Sequence, residues 1–279
     1  MASTAPTLDA EATGLAGGAV RTVLQTCARL SFAALLASIA IALTAGFGTR
    51  FGLWNYETGL FGIFPYCIYF GIAALGFGIT WIAIAIFAGG GAGAIEALIG
   101  VVGAIAVLWV PLNDLFLTDI EHALPPIHDI STDIEHPPQF LTANRPGATN
   151  PATYDGPHRV RFDGKLSKTE TLQKLYYGEV KAWPQLGPTP AKKLFAKALA
   201  AARSMGWTIV AVAPDAEGGF IQASDTTLLF GLTDDIVLRV RPAGIGARLD
   251  IRSKSRVGIS DFGRNAARIL ALREKIAAM

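Results

Sequence analysis

The chain of 279 residues has little cysteine, little charge and no catalytic fingerprint. Its two cysteines, Cys27 and Cys67, lie at or within apolar stretches, and none follows them. That excludes a disulfide framework and a cysteine-based metal site in the second half of the chain. Charged residues are only 16% of the total and are spread unevenly: long stretches before residue 112 carry none, and Asn113 to Asn144 has no lysine or arginine. No hydrolase elbow, Walker loop or dinucleotide fingerprint stands in the context its chemistry requires. No catalytic residue and no cofactor are therefore assigned. The glycine-rich run Gly89 to Gly93 follows an apolar stretch rather than a strand, so it is not a phosphate loop.

Three apolar runs fill the first part of the chain. Leu30 to Phe47 has no charge, Phe61 to Ala88 is broken only by Pro65 and glycines, and Ala97 to Leu112 needs flanking residues to complete a span. A helix crosses a ~30 Å hydrocarbon core with ~20 apolar residues. The pattern predicts a three-span transmembrane region over 30–112, preceded by a disordered cytoplasmic leader over 1–29. Trp54, Tyr56, Trp81 and Trp109 lie near run ends or, for Trp81, deeper, and form a partial aromatic belt. Gly89, Gly93, Gly100 and Gly103 suit close helix packing. Glu96, at the edge of the third run, reads as an interfacial acid near Arg29.

Arg21 and Arg29 precede the first run, and one basic residue, Arg50, follows it. The bias of basic residues toward the cytoplasm places the N-terminus inside, and three crossings then place the C-terminal part outside, in the periplasm. The bilayer is one expected partner, and nucleic acid is not.

Residues 113–157 read as an acidic linker rich in proline and histidine, with Pro125-Pro126 and Pro137-Pro138. Proline pairs oppose helix and favour extended chain lying against something. Residues 158–279 read as a soluble α+β domain, an antiparallel meander of about four strands with helices on one face. Ser167 to Glu170 is a capping box before a short helix with Leu172, Leu175 and Tyr176. Thr189-Pro190 opens a second helix, which Gly206 ends. The expected strands are Trp207–Ala213, Gly219–Ser224 continuing through Leu228–Phe230, Asp235–Arg241 and Ala247–Val257. Ser260 or Asp261 caps a last helix with Phe262, Ala266, Ile269, Leu272 and Ile276 on one face.

Alternation on the last two strands places Val237, Arg239 and Arg241 on one face, and Asp250, Arg252, Lys254 and Arg256 on one face. Five or six basic side chains then share one sheet surface. One reading is an anion site, since guanidinium forks suit carboxylate or phosphate. The other is a set of cross-strand ion pairs with Asp225, Asp234, Asp235 and Asp250. Ser253 and Ser255 fall on the apolar side and need buried partners or mark a polar pocket. In the linker, His122, His128, Asp129, Asp133 and His136 are candidate metal ligands by residue type, although no spacing matches a metal signature. The alternative is local turn bonding by Asp129, Ser131, Thr132 and Asp133.

Several motifs resemble the domain-of-unknown-function family numbered 1499. They include Pro125-Pro-Ile-His-Asp-Ile-Ser-Thr-Asp133, Pro137-Pro-Gln-Phe140, Tyr154-Asp-Gly156, Met205-Gly-Trp207 and Asp225-Thr-Thr227. The longest is Asp250-Ile-Arg-Ser-Lys-Ser-Arg-Val-Gly-Ile-Ser-Asp-Phe-Gly-Arg-Asn265. The resemblance implies an envelope-associated α+β domain, often behind membrane helices, with no established activity. Where the family usually reads Tyr-Pro-Asp, this chain has Trp183-Pro184-Gln185. The resemblance also points to Asp225, Thr226, Asp235, Arg252, Ser253, Ser255, Arg256, Asp261 and Asn265, to which alternation adds Arg239, as the candidate ligand-binding set.

Three functions follow as expectations. The first is a membrane-anchored binding or assembly module for an anionic small molecule or an envelope protein. The second is an enzyme on a lipid or cell-wall substrate, with Asp225, Asp235 or Asp261 as acid or base. The third is a transporter accessory subunit. On the first reading, replacing Arg252 and Arg256 together abolishes capture while the domain stays folded.

Overall fold

The computed structural model describes residues 8–116, 124–142, 144–181 and 189–279. The chain divides into two compact units, Met1–His122 with Leu229–Gly231, and Ala123–Leu228 with Leu232–Met279. Trp183-Pro184-Gln185 and His122 lie outside the described residues.

The first unit contains α1 (Leu8–Arg50), a π-helical turn (Thr58–Ile63), α2 (Pro65–Ala88) and α3 (Ala94–Phe116). The leader expected to be disordered is helical from Leu8, because the apolar helix of the first run continues back through it. Two stretches, Gly17–Arg50 and Thr58–Ala88, are long and apolar enough to cross a membrane; the apolar part of the third helix, Ala94–Trp109, is shorter. Three expected spans thus meet two helices that pass on length and composition.

Small residues set the spacing in this unit. A Cβ at Gly100 would overlap Ser31, one at Gly103 would overlap Leu35, and one at Gly93 would come within 2.6 Å of the Ala28 methyl. The glycines before and along α3 therefore let it lie close to α1, as their spacing suggested. Gly89 has another role, closing α2 at φ +73°. Polar contacts join α1 to α2: Ser31 Oγ donates to the Ala74 carbonyl at 2.7 Å, and Ser38 Oγ donates to that of Cys67 at 2.6 Å. Trp81 Nε1 donates to the Ala92 carbonyl and holds the loop between α2 and α3, whereas Trp109 is exposed.

The second unit begins earlier than expected. Its elements are β1 (Asp129–Ser131), β2 (Arg159–Phe162), β3 (Lys165–Lys168), α4 (Thr169–Tyr176) and α5 (Ala191–Ser204). They continue with β4 (Thr208–Asp215), β5 (Gly218–Thr226), β6 (Thr233–Ala243), β7 (Gly246–Ser255) and α6 (Arg264–Ala277). The main sheet has five strands in the order β1-β7-β6-β5-β4, all antiparallel, not four. The fifth comes from the segment expected to be a linker. Three residues flanked by prolines give no alternation to read, and their pairing with β7 is remote in sequence. The outer edge of β1 is closed by the Gln173 amide, which accepts from the Ser131 N–H at 3.1 Å and donates to its carbonyl at 2.6 Å. A side chain thus stands in for a further strand and blunts an edge that could pair elsewhere.

Other differences are local. β2 and β3 form a hairpin around Asp163-Gly164, both with positive φ, a turn that the Asp-Gly pair favours. Ser167 is taken up by β3, so Lys168 rather than a capping box precedes α4. Helix α5 starts at Ala191 with Pro190 at its N-cap, and Gly206 follows it at φ +79°. Leu228–Phe230 lies in the turn after β5 instead of extending it. The N-cap position of α6 is Gly263, at φ +80°, while Asp261, two residues earlier, supplies the carboxylate that accepts the N–H groups of Gly263 and Asn265, both at 2.9 Å. Phe262 is exposed instead of joining the buried face of Ala266, Ile269, Leu272 and Ile276.

Helices α5 and α6 pack on one face of the sheet, where Leu194, Ala198, Ile269 and Leu272 meet Ile221, Ile236, Leu238 and Ile251. On the other face, side chains from residues 124–157, namely Asp133, Phe140, Arg145 and Asp155, meet the basic residues and Asp235 of β6 and β7.

Helix spacing is directly testable. Gly100→Val should lower the thermal midpoint of the detergent-solubilised protein, followed by circular dichroism. Gly76→Ala, where nothing lies within 4 Å of an added Cβ, should leave the midpoint unchanged or raise it through helix propensity.

Candidate functional site

Register and alternation set the charged face of the sheet. Asp235 lies opposite Lys254, and Arg239 opposite Asp250, across β6 and β7. The segment laid over this face supplies Asp129, Asp133, Arg145 and Asp155. Three groups result. Asp133 and Asp250 take Arg239, Arg241 and Arg248 at 2.6–3.2 Å. Asp235 takes Arg145 at 2.6 Å and Arg256 at 2.8 Å. Asp129 and Asp155 take Arg252 and Lys254.

The third group is the most enclosed. Arg252 and Lys254 are fully buried. The Arg252 fork is bidentate on Asp129, through Nε at 2.8 Å and Nη2 at 2.9 Å, and donates further to the Pro138 and Ala152 carbonyls. Its planar faces lie near the Phe140 and Tyr154 rings, 4.7 Å and 5.4 Å from their centroids. Lys254 Nζ donates to the Thr153 carbonyl and to Asp155 Oδ2, both at 2.7 Å, and stands 3.3 Å from Asp129. The segment carries Asp129 and Asp133 to separate places along the sheet and brings Asp155 back beside Asp129, where both meet Lys254.

Electrostatics follow from this packing. Burial alone would raise the Asp155 pKa, but His128 and Lys254 more than offset it and hold the carboxyl at about 2. Burial opposes ionisation of Asp133 as well; the His136 N–H and the guanidiniums of Arg248, Arg239 and Arg241 bring it below the usual range. Burial pushes the Tyr154 phenol up, with Asp129 adding to the effect.

The helical face carries a second polar group. Ser253 Oγ donates to Asn265 Oδ1 at 2.6 Å, and Asn265 Nδ2 donates to Ser255 Oγ and to the His128 carbonyl. Arg268 reaches Ser253, Asp225 and Asp234, bridging two carboxylates that face each other across β5 and β6. Ser253 and Ser255 thus have the buried partners their position required. Burial raises the Asp261 carboxyl, despite the two helix N–H groups it accepts.

The sheet therefore splits the candidate ligand-binding set. Asp235, Arg239, Arg252 and Arg256 lie under the extended segment. Asp225, Ser253, Ser255, Asp261 and Asn265 lie on the α6 side, and Thr226 pairs with Thr233 through their hydroxyls near the sheet end. Arg252 is an interior clamp, so its replacement would destabilise the domain, contrary to the expectation that Arg252 and Arg256 could be lost without unfolding. Asp225 and Asp235 are held by arginine and Asp261 by backbone amides, which does not give the converging carboxylates of an acid–base site. Nor do the metal candidates converge. Asp129 and Asp133 hold guanidiniums, the His136 N–H donates to Asp133, and no group of three such ligands forms among the described residues.

A cleft of about 290 Å³ opens beside this network. Asp155, Asp129 and His128 form its base, Pro126, Ile127, Val160 and Ile259 its apolar walls, and His158 and Arg161 complete its polar lining. His128 Nε2 is 3.0 Å from Asp155 Oδ2, and His158 Nδ1 is 3.3 Å from Asp155 Oδ1. Asp155, His158 and Lys254 were absent from the candidate set. The Tyr154-Asp-Gly156 motif was the signal for the first, but nothing local links it to a lysine 99 positions away.

Residues 129–276, more than half of the chain, match the model of a family described as a protein of unknown function, DUF1499. No match was found among curated proteins or among solved structures.

Asp129→Ala leaves the buried Arg252 without its main partner and removes a second carboxylate from Lys254, and should cost about 3–5 kcal/mol of unfolding free energy in a denaturant titration. The depressed Asp155 carboxyl gives a second outcome. Its contribution to stability is complete above the unfolded value of 3.8 and is lost as pH falls toward about 2. Asp155→Asn should therefore flatten the acid limb of a stability–pH curve and lower the neutral plateau.

Proposed function

Because the chain belongs to the DUF1499 family, whose description names no activity, we propose its role from geometry: a membrane-anchored binding or assembly module of the cell envelope. The carrying observation is that the acids and bases of the sheet are spent on one another, while a cleft with apolar walls and the exposed side chains of His158 and Arg161 stays open beside them. Such a site suits capture of a ligand or partner better than acid–base chemistry.

The anchor reading rests on the helical unit. Only 28% of the Gly17–Arg50 window and 17% of the Thr58–Ala88 window are buried inside the protein. Large apolar side chains such as Leu36, Ile72, Ile79, Phe87 and Ile105 are exposed, as lipid-facing residues would be. Helix α3, at 23 residues, is long enough for a third crossing. With Arg21 and Arg29 inside, the N-terminus is cytoplasmic and the sheet domain is periplasmic. The anionic-ligand reading moves with the geometry, from the arginine ladder to the cleft.

Native mass spectrometry of the full-length protein, drawn from its own membranes in mild detergent, tests this role. The expected result is a stoichiometric small-molecule adduct or a second protein. A bare monomer mass under conditions that preserve known membrane complexes would refute it.

A further inference from the structure

At the end of the sheet where Asp234 pairs with Ser255, β7 runs out into the loop that leads to α6, and β1 begins beside Lys254. That loop holds two large apolar side chains outward: Ile259 is 78% exposed and Phe262 is 68% exposed. The loop itself is tied down. The Asn150 amide donates to the Gly258 carbonyl at 2.9 Å, and the Asp261 N–H donates to the Ile127 carbonyl at 3.2 Å. The Asp261 carboxylate takes the Gly263 and Asn265 N–H groups. Between these anchors Phe262 stands at φ +51°. That region of backbone space is disfavoured for a bulky residue, which stays there only when its surroundings hold it. The fold thus keeps an aromatic ring outward against both backbone preference and the hydrophobic effect. Burial of the ring in an apolar medium offsets both.

The surroundings of this loop are basic. Ile259 shares a cleft with the β2–β3 hairpin, which contributes Val160 and Arg161 to its lining. From Arg159 to Lys168 the hairpin has four bases and one acid, Asp163. Lys168 pairs with Glu170; Arg159, Arg161 and Lys165 are exposed and form no ion pair among the described residues, and Leu166 beside them is exposed too. Arg264, at the start of α6, adds a further exposed base. The chain also enters the domain at this end. Leu124, ahead of β1, is eight positions beyond Phe116, the last residue of α3, a tether of at most about 29 Å fully extended. Apolar side chains among bases, close in sequence to a membrane helix, match a leaflet with anionic headgroups: the rings enter the acyl boundary and the bases meet the phosphates. A protein partner calls for a continuous apolar centre, whereas here single apolar side chains stand among cations.

We infer that this end of the sheet domain docks on the surface of a bilayer carrying anionic phospholipid, with Phe262 and Ile259 inserted and the bases of the β2–β3 hairpin at the headgroups. This docking rests on the membrane-anchored reading and adds a peripheral attachment to the helical one.

The test is nitroxide accessibility in the full-length protein, with Cys27→Ala and Cys67→Ala, reconstituted in nanodiscs of phosphatidylglycerol mixed with phosphatidylcholine or of phosphatidylcholine alone. Labels go singly at Phe262→Cys, at Ile245→Cys in the turn at the opposite end of the sheet, where Ile245 is 81% exposed, and at Ile79→Cys in α2. Collision with oxygen reports lipid, and collision with a water-soluble nickel chelate reports water. With phosphatidylglycerol present, the label at position 262 should favour oxygen and the label at 245 should favour nickel. A label at Ile259→Cys, which leaves the Phe262 ring in place, should behave as the one at 262. Arg159→Gln together with Lys165→Gln should return the 262 label to nickel access at an unchanged thermal midpoint, since both side chains are exposed. Phosphatidylcholine alone, which has no net headgroup charge, should do the same. Nickel access at 262 in both lipids, or an oxygen preference there that ignores both the hairpin variant and the lipid, would overturn the inference. Loss of access to both reagents at 262 would assign this end to a protein and overturn it as well. The label at 79 separates the two readings: oxygen access at 79 with nickel access at 262 refutes docking and leaves the anchor standing, whereas nickel access at 79 refutes both.

Discussion

The buried pairing of Asp129 with Arg252 is the contact on which the arrangement of the sheet domain depends. It joins the first strand of the domain to the last, across 123 residues of sequence. Two charges removed from water are tolerated only with near-complete compensation. Here the fork is bidentate, its spare hydrogens reach carbonyls, and aromatic faces lie beside it. The same need for compensation fixes register. Sliding β1 by one residue along β7 would turn Asp129 toward the helices and Ile130 toward the arginines, exchanging every favourable contact for an unfavourable one. The ion pairs thereby specify which of several close alignments the short strand adopts, whatever their net contribution to stability.

Much of this domain was legible in the sequence because its signals are local. β4 to β7 follow from alternation and short turns, α5 and α6 from helical spacing, and the end of α5 from Gly206. The basic ladder on β6 and β7 was also legible, as was the need of Ser253 and Ser255 for buried partners. The partners themselves were not. Asp155 and Lys254, or Gln222 and the Leu141 N–H, meet only through tertiary folding, and no periodicity encodes them. Proline concealed β1 for a different reason: the residues that keep a segment extended are also those that mark a linker.

The helical unit and the sheet domain solve the problem of buried polar groups in different ways. In the helical unit, serine hydroxyls of α1 donate hydrogen bonds to backbone carbonyls of α2, and glycines bring α3 close to α1. In the sheet domain, whole charges are buried and matched. The base of its cleft follows the same rule, with Asp155 held among His128, His158 and Lys254.

The long sequence span closed by β1 and β7 also sets an order of events. The acids of residues 124–157 must wait for cations that emerge from the ribosome about a hundred residues later, as the separations of 99 and 123 show. Contacts of such separation form slowly, because the chain between them must be ordered first. Between Asn113 and Asn144 there is no lysine or arginine, so the acids of that stretch have no strong base close by in sequence. Charge segregation along the chain thus defers the pairing of β1 until β7, the penultimate element, has been made.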